Sequence, residues 1–329
     1  MAFVRKKKFD WKSNDGSILM VVLWILAFLV LLGLGLGYST SIDQRLVGYQ
    51  RDRLMALYLA KAGYYRALAE LEQDPTPRID SYLDTWSHNP EAFHEAKLGE
   101  GNFTVSYPVR EEDGSEGVIY GIMDEDRKVD LNFASQAVLL RLPGMTDEIV
   151  DAVLDWRAKH KGLGESLGQV KDKPLKVLED VLLVEGMTKE AFQALRPFIT
   201  VYTDGKVNLN SAPREVLTAF NMAEDLVNKL LRFRKGLDNV RGTEDDQSFA
   251  SLGGVVQQLN AFAEPLTPKE AAQLTSVIRQ NRLKVSSSVF RIHSSGRVRN
   301  GKVVRTVEGV VRGGPKKSSP LTLLSWHEN

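Results

Sequence analysis

The chain has 329 residues, 43 Lys and Arg against 42 Asp and Glu, 43% hydrophobic residues and no cysteine. That is the composition of a folded protein long enough for more than one domain, and the balanced charge argues against broad electrostatic binding to nucleic acid. Without cysteine there is no disulfide framework, no Cys-ligated zinc, no iron–sulfur cluster and no thiol nucleophile.

From Gly16 to Ile42 no charged residue occurs, and Ile18 to Leu36 is apolar apart from glycines, with Ile18, Leu23, Trp24, Leu29 and Leu36 as anchor residues. About 20 such residues span a bilayer. Arg5, Lys6, Lys7, Lys8 and Lys12 precede the run, so the positive-inside rule places residues 1–15 in the cytoplasm and the bulk of the chain across the membrane. A cleaved secretory signal is the alternative, with Gly33, Gly35 and Gly37 as small residues near a cut. Residues 43–73 contain no proline and carry Leu46, Leu54, Leu57, Tyr58, Tyr65, Leu68 and Leu71 at helical spacing. They predict an amphipathic helix that must stop at Asp74-Pro75-Thr76-Pro77.

Strands follow. Phe103 to Val109 and Gly117 to Met123 flank a turn-rich Glu111 to Glu116 and read as a hairpin. A second strand pair is expected at Val285 to Val298 and Lys302 to Arg312, joined through Asn300-Gly301, a strong hairpin signal. Between these pairs lies an internal repeat: KVDLNFASQAVL at 128–139 aligns with KVNLNSAPREVL at 206–217. Each copy predicts a short extended lead ending at Asn132 or Asn210, then a helix from Ala134 or Ala212. A second echo pairs 142–157 with 184–195, with Gly144 or Gly186 at a tight turn and Thr146 or Thr188 as helix N-cap. Residues 130–282 therefore read as a helical insertion into a split sheet.

Signals for enzymatic chemistry are poor. His88, His94, His160, His293 and His327 form no close ligand pair, Gly162 to Gly168 lacks phosphate-loop spacing, and no Gly-x-Ser-x-Gly elbow occurs. Acidic clusters at Glu111 to Asp113, Asp124 to Asp126 and Glu244 to Asp246 are candidate calcium ligands or solvated loops. Arg291, Arg297, Arg299, Lys302, Arg305, Arg312, Lys316 and Lys317 face only Glu308 and Glu328 near the C-terminus. They suggest a solvated strand face, or contact with an acidic neighbour or lipid headgroups.

Basic residues, then Asn14-Asp15-Gly16, then Ser17 opening the apolar run resemble a type IV prepilin leader, with Gly16/Ser17 as the bond cut by prepilin peptidase. That family usually has glutamate at the fifth mature position, which here is Val21. An unpaired carboxylate in hydrocarbon is costly, so a subunit lacking it suits a fibre tip, where no neighbouring amine awaits it. Together with Asp124 to Asn132, Asp155-Trp156, Leu182 to Thr188, Leu209-Asn210-Ser211-Ala212 and Phe290 to Gly313, this departure resembles general secretion pathway protein K, the K-type minor pseudopilins of type II secretion.

The resemblance implies an α+β fold: a long N-terminal transmembrane and stalk helix, a pilin-like antiparallel sheet, and a large inserted all-α domain of repeated helix-hairpin (SAM-like) units. On that reading the chain divides into a leader (1–16), the N-terminal helix (17–74), the first part of the pilin-like domain (75–129), the inserted helical domain (130–283), a closing β-hairpin (284–314) and a flexible tail (315–329). It further implies a non-enzymatic, inner-membrane, single-pass protein, N-methylated after processing and built into the tip of a periplasmic pseudopilus. The implied partners are the I-, J- and H-type minor pseudopilins, the major pseudopilin, the prepilin peptidase and the inner-membrane assembly platform. No cofactor is required, although calcium is raised by the family. The Arg157-Ala158-Lys159 continuation of the Asp155-Trp156 helix departs from it, which weighs against an inherited metal site there.

The rival reading is a membrane-anchored, competence-like DNA receptor, because LLRLPGMTDEIVDAVLDWR at 139–157 resembles a helix-hairpin-helix. Thr146 and Thr188 stand where such hairpins carry a second glycine, and Arg141, Arg157, Lys159 and Lys161 are balanced by Asp147, Glu148, Asp151 and Asp155. Few phosphates could be neutralised.

Overall fold

The computed structural model describes residues 15–76, 78–110, 115–160, 174–262, 264–313 and 320–329. The leader up to Asn14, the Glu111 to Asp113 cluster, Gly162 to Gly168 and Lys316-Lys317 lie outside them. The chain divides into two units, residues 1–54 and 55–329. The first carries most of helix α1 (Asp15–Glu72), whose first turn contains the Gly16–Ser17 bond. Its anchor side chains are bare, with Trp24 73% exposed, and so is Val21. Among the described residues this is the one helix apolar and long enough to cross a membrane, with a mean hydropathy of 2.9 over its most apolar window.

In the second unit, the remainder of α1 makes its closest approach through small residues, with Leu57, Leu68 and Leu71 of the expected apolar set half-buried beside them. Ala56, Leu59, Ala60, Tyr64 and Ala67 are buried, while Tyr58 and Tyr65 face outward at 68% and 64% exposure. The cause is backbone proximity. A Cβ on Gly296 would overlap the backbone of Ala56 and Ala60, one on Gly63 would meet Ser294 and Phe103, and one on Gly309 would meet the Tyr64 ring. Small residues on both elements let helix and sheet approach, and an aromatic at that face would push them apart.

A short helix α2 (Pro90–Phe93) leads into the sheet. The sheet under α1 is antiparallel, in the order β1 (Ala96–Leu98), β2 (Gly101–Val105), β10 (Val289–Val298), β11 (Val303–Arg312), β12 (Thr322–Glu328), with β5 (Met123–Asp124) also on β10. The long pair runs in register from Val289↔Arg312 to Val298↔Val303. Its turn takes Arg299, Asn300 and Gly301 through left-handed backbone, as the Asn-Gly signal predicts. Two expectations need correction. The upstream hairpin is confined to β3 (Tyr107–Arg110) and β4 (Glu116–Ile119), because β2 and β5 pair with β10 instead. Residues 322–328 are a sheet strand where a tail was expected: Trp326 meets the Tyr64 ring edge-on at 4.8 Å and Lys61 pairs with Glu328 at 2.8 Å. An apolar Leu-Leu-Ser-Trp segment gains burial by joining an open sheet edge.

The helical insert consists of two copies of one unit. The first runs through β6 (Val129–Asp130), α3 (Gln136–Leu139), α4 (Asp147–His160), a 3-10 turn at Leu178–Leu183, α5 (Lys189–Leu195) and β7 (Ile199–Thr200). The second runs through β8 (Val207–Asn208), α6 (Arg214–Ala219), α7 (Glu224–Arg234), a 3-10 turn at Leu252–Gly254 leading into α8 (Val255–Ala261), α9 (Pro268–Arg279) and β9 (Leu283–Lys284). Each copy closes on itself through a short parallel bridge between its first and last strands. The two copies share one apolar core. The turn residues Gly144 and Gly186 are left-handed, and Thr188 caps α5 through a 3.1 Å bond from Ala191 N–H. The partner of α4 in the second copy, however, is α7 rather than the 184–195 segment.

Candidate functional site

Hydrogen bonds define the repeat more sharply than its residue identities. Asn132 and Asn210 are buried, and each grips a passing loop by both backbone groups. Asn132 Oδ1 accepts from Leu175 N–H (3.0 Å) and its Nδ2 donates to Leu175 O (3.1 Å); Asn210 does the same with Phe249 (2.7 and 3.1 Å). Two residues earlier, Asp130 Oδ1 and Asn208 Oδ1 accept from the N–H of Asn132 and Asn210, tightening the turn. From the helix above, Arg157 donates to Ala134 O at 2.7 Å and Arg234 to Ala212 O at 2.6 Å. The Arg157 that departs from the family pattern is thus a repeat residue that secures the start of its own unit. The repeat alignment, extended past Leu139 and Leu217, would have exposed it, since Trp156-Arg157 and Phe233-Arg234 stand at nearly the same distance from the two alanines.

The acidic turn Asp124 to Asp126 is the second element, and it is internal. Glu125 is fully buried between Arg291, which donates to both its oxygens at 2.8 and 2.9 Å, and Lys128 at 3.2 Å. Burial pushes the Glu125 carboxyl up, but the adjacent Arg291 and Lys128 charges outweigh it and hold the group well below the usual carboxylate range. Burial brings Lys128 down to about 8. Arg291 also pairs with Glu308, so a strand arginine expected on a solvated face lies inside. Losing one member of a buried pair leaves the other uncompensated and typically costs about 3–5 kcal/mol. Asp126 pairs with Lys284 at 2.9 Å and accepts from Ser288 N–H (2.6 Å) and Val289 N–H (3.1 Å). Asp124 Oδ2 accepts from Ser211, from Ser287 at 2.6 Å and from Asn208 Nδ2 at 3.0 Å. One three-residue turn therefore fastens the sheet to the second repeat.

These contacts test the calcium suggestion. The carboxylates of Asp124 to Asp126 are engaged by lysine, arginine, serine, asparagine and backbone donors. In the 235–247 loop, Asp245 accepts from Leu237 and Asp238 N–H and Asp246 from Gly242 N–H. Among the described residues no group of three or more His, Asp or Glu side chains is assembled around one point. Among the described residues, His94 lies against Tyr120 and the exposed His327 has its Nδ1 3.4 Å from the Ser325 hydroxyl. The rest of the basic C-terminal strip is partly engaged internally, Arg297 with Glu95 and Arg312 with Tyr202 O. Neither hairpin offers an anion cradle with a second glycine, since the Thr146 and Thr188 hydroxyls accept from the first-turn amides of Ile149 and Ala191 instead.

The apolar anchor helix, the antiparallel sheet and the two inserted helical repeats define an α+β scaffold whose polar side chains join its elements to one another. The same fold is found in a chain of the crystal structure of the GspK-GspI-GspJ complex from the enterotoxigenic Escherichia coli Type 2 Secretion System. That chain is 14% identical, with a TM-score of 0.56 over 87% of this chain and 99% of the other. No protein-family model and no curated protein matches the chain.

Proposed function

We propose that the protein is a minor pseudopilin of a type II protein secretion system, a non-enzymatic subunit of the pseudopilus. The observation that carries this reading is the fold shared with a chain of the GspK-GspI-GspJ complex across nearly the whole of that chain, joined to an apolar N-terminal helix at the place a pilin-like subunit needs its anchor. The subunit is made as a single-pass inner-membrane precursor with its N-terminus in the cytoplasm. Prepilin peptidase cuts it at Gly16/Ser17, and the bulk of the chain stands in the periplasm.

Two further features support a position at the tip. Val21 supplies no carboxylate for a neighbour above it, and the inserted repeats add a bulk that could not recur along a thin fibre. There the subunit would nucleate or cap assembly with other minor pseudopilins of the I, J and H types, above the major pseudopilin, and support export across the outer membrane. Gly16→Val tests the reading in cells. The expected result is accumulation of full-length precursor and loss of type II export together; normal export with an unprocessed chain would overturn it.

A further inference from the structure

The residue just before the closing strand differs between the two helical copies. Val129 N–H donates to Phe198 O in the first and Val207 N–H to Arg282 O in the second, both at 2.8 Å, so Phe198 and Arg282 are equivalent. Phe198 is buried in the shared apolar core. Arg282 is half-buried, and among the described residues its guanidinium makes one hydrogen bond, from Nη1 to Phe133 O at 3.4 Å. An apolar side chain therefore satisfies the architecture at this position. The guanidinium of the second copy brings five N–H donors and engages one of them, weakly.

Arg282 lines a cleft between the copies, with Asp130, Ser135 and Val138 from the first and Phe220 and Gln280 from the second. The cleft holds about 30 Å³, room for roughly two waters or for one carboxylate group. Ser135 precedes α3 without capping it, so its hydroxyl is not committed to the helix. Arg157 and Arg282 donate to the successive carbonyls of Ala134 and Phe133, and their charges oppose one another. Asp130 is the acid beside them, and its oxygens accept from Asn132 N–H and from Thr203. Two guanidinium charges against one carboxylate leave the surroundings of the cleft positive.

We propose that this cleft is a carboxylate-binding site. Arg282 takes both oxygens through Nε and Nη2, the edge of the guanidinium that the Phe133 bond leaves open. The Ser135 hydroxyl and the Gln280 amide donate at the mouth, and Val138 and Phe220 flank the carbon that carries the charge. Those apolar walls favour an organic acid over an inorganic anion, which brings no methylene to bury. The same chemistry is offered by a free small acid or by an Asp or Glu side chain that a protein partner sets between the repeats.

Side-chain NMR of the full chain in detergent, made with isotope-labelled arginine, tests the site. The Arg282 Nε signal is the one missing from Arg282→Phe, which installs the first copy's residue; if that variant does not fold, Arg282→Gln identifies the signal instead. Acetate, and separately an amidated Ala-Glu-Ala peptide, are titrated at an ionic strength held constant with chloride. Each should move the Arg282 signal saturably, with half-saturation on the order of 1–10 mM. Half-saturation by the peptide about tenfold or more below that by acetate assigns a partner's side chain, and a smaller difference or the reverse order assigns a free acid. No saturable shift with either probe, or the same shift when chloride alone is raised, would overturn the site.

Discussion

The two helical repeats share one skeleton and differ at the residue that begins it. In the first, Asp130 turns its second oxygen inward to Thr203, accepting from its N–H at 2.8 Å and its hydroxyl at 3.1 Å. In the second, the equivalent Asn208 presents an amide nitrogen, whose two N–H groups face outward among Asp124, Asp80 O and the Ser287 hydroxyl, all within 3.0 Å. Exchange of a carboxylate oxygen for an amide N–H turns the second copy's lead outward, to the sheet and to residue 80. The repeats are thus alike in architecture and different in role. The first keeps its Asp130 within the helical domain and meets the sheet through Arg196 with Glu308 and Arg312 with Tyr202 O, and the second meets it at the Asn208 lead itself.

That comparison can be broken at what the copies have in common. Asn132→Ala and Asn210→Ala each strand the N–H and C=O of a buried loop residue, so each should cost about 2–3 kcal/mol. Denaturant unfolding of the full chain in detergent should find the two within about 1 kcal/mol of each other; a large cost at one alone would mean that the copies are not equivalent.

It can be sharpened, with a smaller effect, at the position where they differ. Asn208→Asp places a carboxylate against Asp124 and removes both amide N–H donors, and should cost about 1–2 kcal/mol at pH 7. The burial and like charge that impose this cost also raise the new group's pKa, so stability should recover as the pH falls. Asp130→Asn, which keeps the turn bond to Asn132 N–H, should cost less and show no such recovery. Equal costs for the two exchanges would remove the distinction between the copies.

Much of this architecture is legible in the sequence, and the parts that are not share a physical reason. The apolar run, the repeated Leu-Asn-x-Ala leads and the Asn-Gly turn depend on local chemistry, and the strands Val129–Asp130 and Leu283–Lys284 open the first helical copy and close the second. The packing face of α1 follows its apolar pattern at Leu57, Leu68 and Leu71 and departs from it at Tyr58 and Tyr65, because large apolar side chains mark burial only where room exists for them. Against a sheet with Gly296 and Gly309 at the contact, the informative residues are Ala56, Ala60, Gly63 and Ala67. Asp124 to Asp126 resembles a solvated loop in sequence because its partners Lys284, Arg291 and Asn208 lie more than eighty residues away. Strand β12 is hidden for the same reason, since its partner edge exists only once β10 and β11 have paired.

Intact mass and N-terminal sequencing of the membrane-fraction protein, made with and without a prepilin peptidase, test the central claim most directly. A start at Ser17 that depends on the peptidase and carries an added methyl group is the predicted result. A chain that keeps residues 1–16 in the presence of active peptidase, or one cut after Gly37, would contradict it.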